Sequence, residues 1–267
     1  MPTGPLLTLL TDFGTADYYV AAVKGTILRL APGTTLVDLS HEVPPGDVET
    51  AAFLLGAAAP SFPEGTLHLA VVDPGVGSGR RILAVRTPAA RFVAPDNGLL
   101  TPVLENAVAV HSVERSDLFL AGPGQTFHGR DRFAPVATWL LNGGSEAELG
   151  PEIGDPRRLP ALPPRREPGR ISGRVVHVDR YGNLVTDIPA SWLPPGPCQA
   201  EVNGGKPGGQ IASNRVGHYA EIPAGEAGLL TGSLGTVELS LNGDDLAGRW
   251  GVARGAAVTV VWEVTIR

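Results

Sequence analysis

The sequence has few of the residues that mark several common classes of protein. Of its 267 residues one is cysteine and two are lysine, and the formal net charge is -6. The single cysteine, Cys198, excludes a disulfide within the chain. The acidic balance and the scattered arginines give no basic face for a phosphate backbone, so nucleic acid is not an expected partner.

Long apolar runs and the common cofactor motifs are also missing. No stretch approaches the roughly 20 apolar residues that span a membrane, and the N-terminal residues lack the pattern of a secretory leader. We therefore expect a cytoplasmic protein without a membrane partner. No HxH, HExxH or CxxC spacing indicates a metal site. Neither the dinucleotide fingerprint, nor the triphosphate loop, nor the GxSxG elbow occurs, so we expect no cofactor.

The first part of the chain, residues 1–153, is predicted to be an α/β domain. Short apolar runs typical of buried strands lie at 6–10, 35–39, 67–72, 82–85, 92–94 and 108–113. Helical patterns lie at 18–30, 48–58 and 126–141, and a further short helix is predicted after Asn97 up to Glu105. The alternation of strands and helices predicts a largely parallel sheet flanked by helices.

The composition changes after residue 153. Residues 154–169 contain five prolines and four arginines, which favours an extended linker. In residues 170–267 the helical patterns nearly vanish. Short β-type runs, separated by glycine, asparagine and proline, lie at 173–178, 184–188, 199–202, 228–230, 236–241 and 257–265. This pattern predicts a smaller all-β, barrel-like domain.

Residues 71–81, VVDPGVGSGRR, contain the strongest candidate site of the first domain. Asp73 falls where a strand ends, the usual location of ligand groups in open α/β sheets. The glycines and the proline after it let the backbone turn sharply. Arg80 can then fold back over Asp73, so that an acid and an arginine share one pocket. A surface turn with a weak ion pair explains the same residues equally well.

Three other residues of the first domain are candidates for the same edge of the sheet. Asp12 follows the first strand, and Asn97 lies in a polar turn after the fifth. His128 lies in the first turn of a helix, between Phe127 and Gly129. A lone histidine at such a place is more often structural than functional.

The second domain has one dense polar cluster, DRYGNLVTD at 179–187. An ordinary hairpin turn would contain the same aspartate, glycine and asparagine. The ring of Tyr181 could also stack on a base, and the amide of Asn183 could pair with the Hoogsteen edge of adenine. Adenine is therefore a plausible ligand.

Seven motifs, taken in order, resemble those of one family. They are TLLTDFG at 8–14, VKG at 23–25, VVDPGVGSGRR at 71–81, APDNGLL at 94–100, TFHGRDRFAP at 126–135, DRYGNLVTDI at 179–188 and GSLGTVELSLN at 232–242. On these residues the chain resembles the S-adenosylmethionine (SAM) hydroxide adenosyltransferases, relatives of the fluorinase and chlorinase enzymes. The resemblance implies hydrolysis of SAM to adenosine and L-methionine, by attack of water or hydroxide on the ribose C5′.

The resemblance also implies a role for individual residues. Asp73, Arg80 and His128 match the family's catalytic triad. By the same resemblance, Asp12 matches the ribose contact, Tyr181 and Asn183 match the adenine contacts, and Asp179 and Ser233 match the contacts of the methionine part. Further substrate contacts in the same motifs match Phe13, Asn97, Phe127, Gly129 and Leu234. Family members resemble trimers in which one subunit's first domain and its neighbour's second domain share the active site, so a homotrimer is expected.

Within the triad, we expect His128 to accept or steer the proton of the attacking water, because histidine is the side chain that titrates near neutral pH. Asp73 is expected to orient it, and Arg80 to stabilise the developing charge of hydroxide.

Departures from the halogenase pattern disfavour a halide as the nucleophile. This chain has His128 and Gly129 where the halogenases have tyrosine and serine, and it lacks the fluorinase loop between Val85 and Pro95.

Two other functions stay open: a non-catalytic SAM or adenosine sensor, and a metal-dependent hydrolase that uses Asp12, Asp73 and His128. Residues 242–247 match the family less well, which leaves the methionine end of the pocket open.

Overall fold

The structure is a computed structural model that describes residues 4–121, 124, 126–202 and 214–263. The chain forms two compact units, Met1–Pro160 and Ala161–Arg267. The division between them falls inside the segment 154–169 that is rich in proline and arginine. No helix in the described ranges is long and apolar enough to cross a bilayer.

The described residues of the first unit form one six-stranded sheet with three α-helices. In chain order the elements are β1 (Leu6–Thr11), α1 (Tyr19–Leu30), β2 (Thr35–Ser40), α2 (Val48–Ala58), β3 (Thr66–Val71), β4 (Ile82–Arg86), β5 (Ala90–Pro95), β6 (Ala109–Ser112) and α3 (Ala134–Leu141). The strand order is β2-β1-β3-β5-β4-β6. In this sheet β4 runs in the direction opposite to the other five strands. The predicted largely parallel sheet flanked by helices is confirmed.

Both faces of the four central strands, β1, β3, β5 and β4, are largely buried, which explains their apolar runs. Successive side chains of a strand point to opposite faces. Leu9 of β1 therefore packs in the same cluster as Ile27 of α1 and Val136 of α3. Leu10 packs on the other face, in a cluster with Leu55 of α2.

Two predicted helices of the first unit differ from the structure. The residues from Asn97 to Glu105 form successive turns instead of a helix, since Pro102 has no N–H to continue the hydrogen-bond pattern. The predicted helix 126–141 begins with a π turn, Gly129–Phe133, before α3. Pro135 cannot donate to the carbonyl of Asp131, which accepts the N–H of Leu120 at 2.8 Å instead.

The second unit is built from short strands. Its elements are β7 (Arg165–Glu167), β8 (Arg170–Val178), β9 (Leu184–Pro189), β10 (Gln199–Val202), β11 (Asn214–Arg215), β12 (Ala227–Thr231), β13 (Thr236–Leu241), α4 (Leu246–Trp250) and β14 (Ala257–Val261). They pair in the order β10-β14-β8-β9-β13-β12-β11, with β7 beside β8. All pairs are antiparallel except β11 with β12. The predicted all-β, barrel-like fold is confirmed.

Two details of the second unit differ from the sequence pattern. Strand β7 lies inside the segment expected to be a linker, because Gly169, at φ +76°, lets the chain turn back into β8. The one-turn helix α4 was not predicted; Asp245 caps it by accepting the N–H of Gly248. The end of the predicted last strand, residues 264–265, lies outside the described residues.

Candidate active site

A cavity of about 580 Å³ lies at the carboxyl edge of the first sheet. Because β1 and β3 are adjacent and parallel, the residues that follow them meet at this edge. Six residues predicted to form the site line the cavity: Asp12, Phe13, Asp73, Phe127, His128 and Gly129. The structure thus brings together residues from three separate motifs.

Asp73, Arg80 and His128 form a hydrogen-bonded chain. Nε of Arg80 lies 2.8 Å from each carboxylate oxygen of Asp73, and Nη2 also donates to Oδ2. The same Nη2 lies 3.1 Å from Nδ1 of His128. The side chains of Asp73 and Arg80 are each 6% exposed. The pair is therefore buried, not the weak surface ion pair that the sequence also allowed.

The contact with Arg80 determines which nitrogen of His128 carries a proton. A guanidinium has donors and no acceptor, so Nδ1 of His128 accepts through its lone pair. A neutral His128 consequently carries its proton on Nε2 and has no second lone pair to offer. Of the two roles expected from the sequence, to accept or to steer the proton of the water, this geometry favours the second, with His128 as a hydrogen-bond donor.

Arg80 lies behind the cavity. It is not among the described residues that line the cavity, and its guanidinium packs over the ring of Phe133, 5.0 Å from the ring centroid. Arg80 therefore acts on the cavity through Asp73 and His128, as a positioning residue.

Asn97 is likewise outside the described cavity lining. Its Nδ2 donates to the carbonyl of Val72 at 2.8 Å, and its Oδ1 accepts the N–H of Leu99 at 3.2 Å. The side chain thus braces the main chain immediately before Asp73. A contact between Asn97 and the substrate stays a prediction. In this structure both polar atoms of the Asn97 side chain bind the main chain and not the cavity.

Gly129 lets the ring of Phe13 approach the π turn. A Cβ at position 129 would lie 3.0 Å from the tip of that ring, closer than side chains normally pack. The rings of Phe13 and Phe127 meet edge to face with centroids 6.0 Å apart. The short residue at 129 therefore allows the aromatic wall of the cavity to form beside His128.

Sequence reasoning missed two aromatic residues of this wall, Tyr18 and Tyr19. Both line the cavity, and the ring of Tyr19 meets that of Phe127 at 5.1 Å. The only signal in the sequence is the pair of adjacent tyrosines at the start of the predicted helix, where one face should be solvent-exposed. Arg130 and Asp131, whose side chains form an ion pair at 2.6 Å, also line this cavity and were not predicted from the sequence.

The second unit has its own cavity of about 560 Å³. Three predicted substrate contacts line it: Asp179, Tyr181 and Asn183. Tyr181 is 76% exposed, so the face of its ring is available for stacking. Asn242 and Asp244 also line the cavity, which puts part of the poorly matched segment 242–247 beside the predicted adenine contacts.

The carboxylate of Asp179 organises the turn before β9. Its Oδ1 accepts the N–H groups of Tyr181 and Asn183, both at 2.9 Å. Its Oδ2 accepts an N–H from Nδ2 of Asn183 at 2.9 Å, and Oδ1 of Asn183 accepts the hydroxyl of Ser240 at 2.6 Å. The amide is thereby fixed in orientation. Each of its polar atoms keeps capacity for one more hydrogen bond, which is compatible with the predicted pairing to adenine.

Ser233 and Leu234 lie in the turn between β12 and β13 and are not among the described residues of either cavity lining. Sequence reasoning missed Tyr219, which does line the second cavity. Its hydroxyl donates to Glu238 at 2.5 Å. That hydrogen bond raises the pKa of Tyr219 to about 12, and burial raises the pKa of Glu238.

Within the described ranges, no three histidine, cysteine or acidic side chains come close enough together to hold a metal ion. Asp12, Asp73 and His128 line one cavity without forming such a group. The arrangement gives no support to the metal-dependent hydrolase.

Comparisons with known proteins agree with this two-domain arrangement. The family model of the SAM hydroxide adenosyltransferase N-terminal domain matches residues 7–150, and that of the C-terminal domain matches residues 173–259. The chain belongs to the SAM hydroxide adenosyltransferase family.

Individual relatives cover almost the whole chain. An "(R)-S-adenosyl-L-methionine hydrolase" of Salinispora tropica is 37% identical over 97% of this chain and 99% of its own length. A relative of the same name from Thermus thermophilus is 37% identical, over 94% of this chain and 98% of its own. A crystal structure of an uncharacterized conserved protein from Thermotoga maritima aligns with a TM-score of 0.88 at 31% identity, covering 95% of this chain and 99% of the other.

Proposed function

We propose that the protein hydrolyses S-adenosyl-L-methionine to adenosine and L-methionine. The observation that carries the proposal is the Asp73–Arg80–His128 chain beside a cavity that Asp12 also lines. The hydrolases of the same family, which this chain matches over nearly its full length, support the same reaction.

The reaction is an in-line displacement at the ribose C5′. The oxygen of water forms a bond to C5′ while the bond from C5′ to sulfur breaks, and the electron pair of that bond stays on sulfur. The sulfonium thereby becomes the neutral thioether of methionine, and one proton of the water is released. Since this leaving group needs neither an acid nor a metal, we propose that no cofactor takes part. The protein's task is to hold the water in line with the C5′–S bond.

We infer a division of roles from the hydrogen bonds. His128, whose Nδ1 accepts from Arg80, offers an N–H at Nε2 that can hold the attacking oxygen. Asp73 lines the cavity and keeps lone pairs besides those that accept from Arg80, so its carboxylate is the acceptor for a proton of the water. Arg80 keeps both side chains in this orientation.

We also propose a homotrimer in which the first domain of one subunit and the second domain of its neighbour share a site. The support is that the predicted ribose and triad residues line a cavity of the first unit, whereas the predicted adenine contacts line a cavity of the second. The cytoplasmic location stays a prediction.

Product analysis tests the function. Incubation of the protein with SAM in ¹⁸O-labelled water should give L-methionine and adenosine that carries the label at O5′. Intact SAM after long incubation would instead support a non-catalytic sensor. A 5′-halogenated nucleoside formed in high chloride would support a halogenase. Activity that chelator abolishes and added metal restores would support the metal-dependent hydrolase.

A further inference from the structure

His41, a buried residue after β2, ties together two loops at the carboxyl edge of the first sheet. Its Nδ1 lies 2.8 Å from Oγ1 of Thr11, and its carbonyl oxygen accepts the N–H of Gly14 at 2.8 Å. Thr11 and Gly14 lie on either side of Asp12 and Phe13, which line the cavity. His41 itself does not line it, so its link to the site passes through Thr11 and the main chain.

The groups around His41 determine the direction of its hydrogen bonds. Oδ1 of Asp38 lies 3.1 Å from Nε2 of His41, and a carboxylate favours a protonated nitrogen opposite it. A neutral imidazole then presents its lone pair at Nδ1, so the hydroxyl of Thr11 donates to His41. Nζ of Lys24 lies 2.6 Å from the other oxygen of Asp38 and holds the carboxylate in place.

The chain of hydrogen bonds continues into the cavity wall. Oγ1 of Thr11, with its proton directed to His41, accepts the N–H of Phe13 at 3.3 Å. Two more ties come from the segment after β2: the N–H of Gly46 donates to Oδ2 of Asp12 at 2.8 Å, and the hydroxyl of Thr15 donates to Glu42 at 3.1 Å. Hydrogen bonds from residues 41–46 thus fix the loop that carries Asp12.

We propose that His41 is a positioning residue for substrate binding, which fixes Asp12 and Phe13 through the hydroxyl of Thr11. The inference rests on the proposed function, which assigns Asp12 to the ribose. Neither Asp12 nor Phe13 is assigned to the attacking water or to the bond that breaks. Loss of the support should therefore raise KM and leave kcat nearly unchanged.

Two amide substitutions separate the two nitrogens of His41. His41→Asn keeps an acceptor near the position of Nδ1, whereas His41→Gln places its amide near Nε2 and leaves the Thr11 hydroxyl without an acceptor. We expect His41→Gln to raise KM for SAM and Kd for adenosine about tenfold, with kcat within about threefold of wild type. His41→Asn should stay close to wild type.

A second pair of variants tests the same link from the other side and does not require His41 to be changed. Thr11→Val removes the hydroxyl and keeps the shape, so it should match His41→Gln, whereas Thr11→Ser should behave as wild type. His111→Gln is the matched control, because His111 is also buried and binds the carbonyl of Gly150 at 2.9 Å, outside the described lining of the cavity.

Amide hydrogen exchange at Phe13 and Gly14 measures the loop without any reaction. Faster exchange in His41→Gln and Thr11→Val, but not in His111→Gln, supports the proposal even in a protein that does not hydrolyse SAM. The missing hydrolysis would contradict the proposed function alone. Unchanged exchange and unchanged adenosine affinity in the two variants would overturn the role of His41. A fall in kcat with KM unchanged, or an equal effect of His111→Gln, would overturn it too.

Discussion

At the scale of single residues, the position of one proton separates two possible roles for His128. Because Arg80 can only donate, Nδ1 of His128 is an acceptor, and the imidazole has its N–H at Nε2. A general base must direct a nitrogen lone pair at the attacking water, whereas a hydrogen-bond donor must direct the Nε2–H at it. Substitutions that keep one property and remove the other distinguish the two roles.

His128→Gln should keep measurable activity. The glutamine amide carries an N–H near the position of Nε2 but is not basic, so a donor role predicts a kcat within about tenfold of wild type. His128→Ala, which removes the group, should lower kcat by roughly 10²–10⁴. Single-turnover rates measure both. If glutamine is as damaging as alanine while both variants still bind adenosine, His128 is the base and the assignment to Asp73 is wrong.

A second buried histidine, His68, should make the stability of the protein depend on pH. Burial lowers the pKa of His68 from 6.5 to about 4, and its ring stacks on Phe92 with centroids 4.9 Å apart. The unfolded chain therefore binds this proton more tightly than the folded one. Stability is fully present above about pH 6.5 and falls as the pH drops towards 4, by an amount on the order of 3 kcal/mol.

Urea unfolding at pH 7 and pH 5 measures this effect. The double variant Thr8→Val/His68→Phe removes the titrating ring together with its hydroxyl partner, which lies 2.7 Å from Nδ1, and should lose less stability on acidification than wild type. His218→Gln, at an exposed histidine, is the control and should lose as much as wild type. Equal losses in all three proteins would show that His68 does not set the acid sensitivity.

The sequence was sufficient to predict that Asp12 and Asp73 lie at one edge of the sheet with Arg80 beside Asp73, because that follows from local rules. Asp12 and Asp73 end parallel strands, and glycines let Arg80 fold back over Asp73. The donors and acceptors could not be predicted, since they depend on contacts between distant segments. The side chain of Asn97 faces the main chain of Val72, and nothing in the APDNGLL motif itself indicates this.

At the scale of elements, backbone shape decides where the site residues lie. At the π turn before α3, Pro135 has no N–H for the carbonyl of Asp131, and the donor is Leu120, in a segment outside the motif. Periodicity correctly indicated a helix over much of 126–141 and could not reveal this partner. In the second unit, the strand pattern was predicted, whereas the pairing of β7 depends on the turn at Gly169.

The turn that carries Tyr181 and Asn183 should not tolerate a side chain at Gly182. Gly182 has φ +79°, and a Cβ there would lie 1.9 Å from a carboxylate oxygen of Asp245 and 2.9 Å from its Cα. Gly182→Ala should therefore weaken adenosine binding strongly, because the main chain of the turn must move. Gly255→Ala is the matched control: it has φ +89° and an open position around the Cβ. It should lose about 1–2 kcal/mol of stability to the left-handed backbone and keep its affinity for adenosine.

Calorimetric titration with adenosine, together with thermal unfolding, measures both glycine variants. If Gly182→Ala and Gly255→Ala lose the same stability and neither loses affinity, the turn adapts to the side chain. Adenosine binding would then not depend on the main-chain shape of this turn, and the adenine contact would have to be assigned to other residues.

At the scale of the whole molecule, the predicted residues are divided between the two units. The triad and Asp12 belong to the first unit and the predicted adenine contacts to the second. If neighbouring subunits share each site, two chains damaged in different units can complement one another. If each chain contains a complete site, they cannot.

Co-expression of an Arg80→Ala chain with an Asn183→Ala chain tests this sharing. A site is restored wherever the intact first domain of one variant meets the intact second domain of the other, which random mixing provides for about a quarter of the sites in any closed ring. Arg80→Ala mixed with His128→Ala is the control, because both changes damage the first domain and no pairing is intact. The expected fraction of restored sites does not depend on the number of subunits in the ring. Native mass measurement must therefore establish that the protein is a trimer. Restored activity in a trimer supports the proposal, whereas activity no higher than in the control contradicts shared sites.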